Sequence, residues 1–149
     1  MRILVDADAC PGPIREILFR ASARCGIAVV LVANRWPGPP KSDLVTAVVV
    51  PQGPDVADDR IVEMSAPGDI VITADIPLAD RVIASGARVI TPKGHLLTVS
   101  NIGERLSLRN VMDEMRGTGV DTGGPAPFST KDKQRFAAAL DRLLAKKDA

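Results

Sequence analysis

Short apolar runs alternate with segments of helical period along the first two thirds of this chain. Arg2 to Val5 is a brief run with β-branched content, and Ile27 to Ala33 is apolar at every position. Leu44 to Val50, Ile70 to Thr73 and Arg88 to Thr91 repeat the pattern. A strand with no polar alternation is expected where both faces are covered, as in a parallel sheet. Pro11 and Pro13 suit the first turn of a helix, which carries Ile14, Ile17, Leu18 and Ala21 on one face and stops at Gly26. A second helix is predicted from about Asp55 to Ala66, ended by Pro67-Gly68, and a third from about Pro77 to Ser85, closed by Gly86. Strand–helix alternation of this kind implies a three-layer α/β/α domain around a parallel sheet with right-handed crossovers. With strand order 3-2-1-4-5, the switch point falls between strands one and four, and ligands of such folds bind there, beyond the strand C-termini.

The last third changes character. Asn101 to Arg116 reads as an amphipathic helix with Ile102, Leu106, Val111 and Met115 as its apolar positions. Gly117, Gly119, Gly123 and Gly124 make a flexible link. Ser129 then caps a final helix with Phe136, Leu140, Leu143 and Leu144 facing inward, and Lys146 and Lys147 suit its C-terminal dipole. Residues 101–149 therefore read as a helical extension packed on the domain, making residues 1–149 a single domain. No internal repeat or low-complexity segment interrupts it.

Composition narrows the field. A chain of 149 residues can bury a core without staples, and three Phe, one Trp and no Tyr make that core aliphatic. The run Ile27 to Ala33 is far short of the roughly 20 residues of a membrane helix, and no signal-peptide pattern opens the chain. Cys10 and Cys25 make neither a disulfide framework nor a zinc site. A cytoplasmic location without membrane attachment is expected; the oligomeric state is left open. Net charge is +1, so nucleic-acid binding would rest on a local patch rather than a global field. With His95 the only histidine, Ser-His-Asp and Cys-His chemistry would need that one residue in the right place.

The aspartates carry the chemistry. Asp6 and Asp8 close the first strand, Asp55, Asp58 and Asp59 open the second predicted helix, and Asp75 ends the fourth strand. In a parallel α/β fold these positions share one sheet edge, where clustered carboxylates favour a divalent cation. Asp6, Asp8, Asp58 and Asp75 are the candidate ligands of magnesium or manganese, which would activate a water against a phosphodiester, with Asp55 among the catalytic acids. Two other uses stay open: Asp6 as a nucleophile forming an aspartyl phosphate, and all of these residues as helix caps. Asp55 lies one turn from Asp58 and Asp59, and like charges that close are unfavourable without a cation. Asp69 starts the fourth strand at the opposite edge and reads as structural. Asn34, Arg35 and Trp36 end the second strand at the acidic edge; Arg35 could grip a phosphate and Trp36 stack on a base, or the loop could be plain surface. Arg15, Arg35 and Arg109, together with Asn34, complete the substrate-binding candidates.

The segments VDADACP, LVAN, DVADDRIV and GDIVITADIPLAD, with the tail pattern NI…RL…R…MR…G…GGP…F, resemble the YaiI/YqxD family of small bacterial proteins over nearly the whole chain. More remotely, Asp55 to Ile90 is similar to PIN and NYN metal-dependent nucleases. There an acid ends strand one, another sits on a central helix, and S/T-x-D ends strand four before a helix. That resemblance implies a PIN-like domain in which Asp6, Asp55 or Asp58, and Asp75 hold the metal. NYN domains often carry a further acid two residues beyond the strand-four Asp; here that position is Pro77. The implied activity is a Mg²⁺- or Mn²⁺-dependent ribonuclease or other phosphodiesterase. Its rivals are a PIN-like domain that binds RNA or a protein without cleaving, and an aspartyl-phosphate phosphatase. The phosphatase fits less well, because Asn34 stands where a Ser or Thr is expected and only a short helix occupies the cap position.

Overall fold

The computed structural model describes residues 1–53, 55–104 and 129–145. In chain order the elements are β1 (Arg2–Asp6), α1 (Gly12–Cys25), β2 (Ala28–Ala33), β3 (Val45–Val49), α2 (Val56–Met64), β4 (Ile70–Ile72), α3 (Ile76–Ala84), β5 (Arg88–Ile90), β6 (Leu96–Leu97) and a C-terminal helix (Thr130–Ala145). The sheet runs β3-β2-β1-β4-β5-β6, so the expected order 3-2-1-4-5 holds and one strand is added at its edge. β6 pairs antiparallel to β5, with Leu97 opposite Val89 and Leu96 opposite Ile90. Two residues have no readable period, and this strand exists because the turn after β5 folds it back onto a paired neighbour.

The apolar runs do what their composition requires. Ile3 and Val5 of β1, Val29 and Leu31 of β2, and Ile70 and Ile72 of β4 face one layer, where Ile14, Leu18 and Ala21 of α1 and Phe136, Leu140, Leu143 and Leu144 of the C-terminal helix cover them. The alternate residues Leu4, Val30, Val32, Val71 and Val89 face the other layer, against Ile61 of α2 and Leu78, Ala79 and Val82 of α3. Each fully buried Leu or Ile removed from water contributes about 1.5–3 kcal/mol, which an all-aliphatic sheet accumulates on both faces.

Helix ends are set by local chemistry. Gly26 closes α1 at φ 68°, a left-handed conformation that disfavours side chains, and its N–H donates to the Ser22 carbonyl. Ser129 and Asp132 form a reciprocal capping box: the Asp132 N–H donates to Ser129 Oγ at 3.2 Å, and the Ser129 N–H donates to Asp132 Oδ2 at 2.9 Å. Gly94, at φ 87°, lets the β5–β6 turn meet the C-terminal helix; a Cβ there would come within 2.5 Å of the Arg135 backbone. A helical segment begins at residue 99, two positions before the expected Asn101. The rest of that expected helix, with Arg109, the glycine-rich link and Lys146-Lys147, lies outside the described residues. Among the described residues no helix is long and apolar enough to cross a membrane.

Candidate functional site

Strand register places the acids. Val5 of β1 is level with Leu31 of β2 and Ile72 of β4, so the residues that follow each strand emerge together at the switch point between β1 and β4. Asp6 ends β1, a single 3-10 turn (Ala7–Ala9) carries Asp8, and Thr73 and Asp75 follow β4. The buried Thr73 hydroxyl joins the two strands. It donates to Asp6 Oδ2 at 3.2 Å and accepts from the Asp75 N–H at 3.0 Å. Asp75 Oδ1 in turn accepts the Leu78 N–H at 3.0 Å and caps α3. Asp8 is tethered from the other side, its Oδ2 accepting the Asn34 backbone N–H at 2.8 Å.

The electrostatics single out Asp6. Burial is the largest cause lifting its pKa to about 6, and the nearby charges of Asp58, Asp75 and Asp8 add to it, while the Thr73 hydrogen bond pulls the other way. Asp58, in the first turn of α2, is likewise raised, by burial and then by Asp75 and Asp55, against Arg81, which lowers it. The fold thus brings Asp6, Asp8, Asp58 and Asp75 into one field, with Asp55 on its flank. Asp55 itself is the N-cap residue of α2, held at φ 62° with no side-chain cap bond. It is the one described non-glycine residue at positive φ.

Other candidates are sorted by the same geometry. Asp59 turns away from the cluster to Arg81 of α3, at 2.9 Å. Arg15 lies near the buried Cys10 thiol, which burial pushes up to about 12 against the pull of Arg15. The thiol is therefore a protonated packing group at neutral pH. Asn34 gives its main-chain N–H to Asp8 at the acid edge. Arg35 and Trp36 are exposed on the loop that follows. Arg109 is outside the described residues. Asp69 accepts from the Arg2 and Ala66 backbone N–H groups at 3.0 and 3.1 Å and pairs with the Arg2 guanidinium, a structural assignment at the far edge.

Sequence reasoning passed over Arg81, which ties α3 to α2 and tempers Asp58. Its partner lies 22 residues away, and no local spacing could signal it. Among the described residues, no group of three or more His, Cys, Asp or Glu side chains stands ready to hold a metal ion by direct coordination. Carboxylates are the donor type that a hard cation such as magnesium takes, one or two at a time with water in its other positions.

Fold and site together define a doubly wound α/β domain with a carboxylate cluster at its topological switch point. The chain belongs to the YaiI/YqxD family: the family model described as "Uncharacterized BCR, YaiI/YqxD family" matches residues 4–146. UPF0178 proteins of Burkholderia cenocepacia (strain HI2424), Burkholderia ambifaria (strain MC40-6) and Burkholderia vietnamiensis (strain G4) are 56%, 55% and 51% identical to it. Each alignment covers 98% of this chain and 97% of the relative. No solved structure matches the chain.

Proposed function

We propose that this protein is a Mg²⁺- or Mn²⁺-dependent phosphodiesterase of PIN-like type acting on RNA. The reading rests on one observation above all, the joining of Asp6 and Asp75 through Thr73 at the switch point. A half-buried carboxyl group at the switch point has its pKa lifted to about 6 by burial and by the fields of Asp58, Asp75 and Asp8. Such a site gains by taking up positive charge: a proton at low pH, a cation above it. Asp6, Asp8, Asp58 and Asp75 would hold the ion, directly or through its waters. When bound, the ion supplies an acidified water and neutralises charge on the phosphoryl oxygens. Thr73 fixes the orientation of Asp6, the cap to Leu78 fixes Asp75, and the Asn34 N–H fixes Asp8. Arg15 and Arg35 contact the phosphate. A cytoplasmic location accompanies this reading.

A second reading, binding of RNA or of a protein partner without cleavage, is favoured by the lack of a ready three-carboxylate group among the described residues and by Pro77 at the start of α3. A gel assay on mixed-sequence single-stranded RNA with Mn²⁺ or Mg²⁺ separates the two. Cleavage that disappears with EDTA and in the D6N/D75N double variant is expected. RNA left equally intact by wild type and variant overturns the phosphodiesterase reading in favour of the binding one.

A further inference from the structure

The chain has one Trp and no Tyr, and the fold leaves that Trp outside the core. Phe19 and Phe136 pack into the layer under α1 and the C-terminal helix, whereas Trp36 is 70% exposed. A large amphipathic ring held in water is a common mark of a contact surface. We propose that Trp36 is the platform on which an unpaired base of a single-stranded nucleic acid stacks, beside the carboxylate cluster. The proposal rests on reading that cluster as a phosphodiester site, and it adds the substrate class: single-stranded rather than duplex, gripped through a base as well as a phosphate.

Three features of the loop support it. The first is position: the Asn34 N–H is bonded to Asp8, and two residues of chain reach at most about 7 Å, so Trp36 stands close to the acid edge. The second is charge. Arg35 precedes Trp36 in the chain and Lys41 follows on the same loop, both exposed, so the loop carries two cations against one exposed acid, Asp43, and can meet a phosphate. The third is stiffness. Pro37, Pro39 and Pro40 fix φ on either side of Gly38, which sits at φ 63°, so the loop has little freedom to lose on binding. A lipid surface is a poorer match. Of the other exposed large apolar side chains described, Met1 lies at the opposite edge, Leu96 and Val99 lie by β6 at the other end of the strand order, and Val49 ends β3, so no continuous apolar patch surrounds Trp36.

Because Trp36 is the only tryptophan, its fluorescence reports the contact without interference. In EDTA, which blocks metal-dependent cleavage, a short oligoriboadenylate, the matching DNA strand and an RNA duplex are titrated into the protein. The expected result is quenching by single strands and not by the duplex. In parallel, W36A should bind a labelled single strand roughly tenfold more weakly by anisotropy, with W36F retaining part of the affinity. Quenching by RNA alone, or by RNA and DNA alike, supports the proposal and assigns its sugar preference. Single strands that bind without changing the fluorescence, or with W36A binding equally well, overturn it and leave the phosphodiesterase reading standing. Quenching by strands that are never cleaved with metal present upholds the platform and overturns the hydrolytic reading, so the two failures are distinguishable. Equal quenching by the duplex, or none by any nucleic acid either in EDTA or on first mixing with Mg²⁺ present, overturns the platform outright.

Discussion

Asp6 and Asp69 are a natural pair for comparison: both lie at ends of the two central strands, on opposite edges of one sheet. Asp69, 4% exposed, is surrounded by donors, with two backbone N–H groups and the Arg2 guanidinium around its carboxylate. Asp6, more exposed, has a threonine hydroxyl and three carboxylates in its field, and its pKa rises to about 6. The same residue type therefore locks one edge and leaves the other electrostatically strained. Folding stability alone does not select the second arrangement, which is why the strained edge is read as the working one.

The largest expected effect breaks the satisfied side. Asp69→Ala would strand the Arg2 and Ala66 N–H groups and remove the ion pair with Arg2, lowering stability by about 2–4 kcal/mol. Urea denaturation checks this, and a loss under about 0.5 kcal/mol would remove the contrast between the two edges.

On the strained side the sign reverses. Asp6 has a folded pKa of about 6 against an ordinary 3.8, so the native state binds the proton more tightly than the unfolded chain. Its contribution is most favourable below about pH 4 and declines as pH rises through 6. Without a metal, Asp6→Asn should leave stability nearly unchanged at pH 4 and raise it near neutrality by about 1–2 kcal/mol, after discounting the shift for solvent screening. Denaturation curves of wild type and D6N across this range measure the difference directly, and a D6N protein destabilised equally at both ends would mean that Asp6 is structural after all.

Smaller effects sharpen the picture. Arg81→Ala removes an exposed ion pair with Asp59 and should lower stability by less than about 1 kcal/mol, while raising the Asp58 pKa further, a change visible by carboxyl NMR titration. Trp36→Ala, on an exposed loop, should alter the urea midpoint by no more than about 0.5 kcal/mol equivalent, which keeps its binding defect interpretable.

Legibility in the sequence follows the range of the interactions. The strand order and the meeting of Asp6 with Asp75 could be read because parallel α/β topology turns apolar periodicity into position: a residue after a strand has one place to be. The two-layer burial of β1, β2 and β4 follows from the same continuous apolar runs. What escaped was set by tertiary contact. Leu96–Leu97 becomes a strand only against Val89 and Ile90, and Asp59 finds its ion-pair partner, Arg81, on another helix. Asn34 contributes a main-chain N–H, which every non-proline residue has, so its identity carried no signal. Asp75 illustrates overlap, since the residue read as a ligand is also the cap of α3 and neither role excludes the other.

If the strained edge is a cation site, calorimetric titration of Mn²⁺ into the intact protein near neutral pH will show it. Saturable binding is expected that weakens as pH falls toward 6, where Asp6 takes up its proton, and that is lost in a folded D6N/D75N variant. Absence of binding to wild type, or equal binding to the variant, would contradict it.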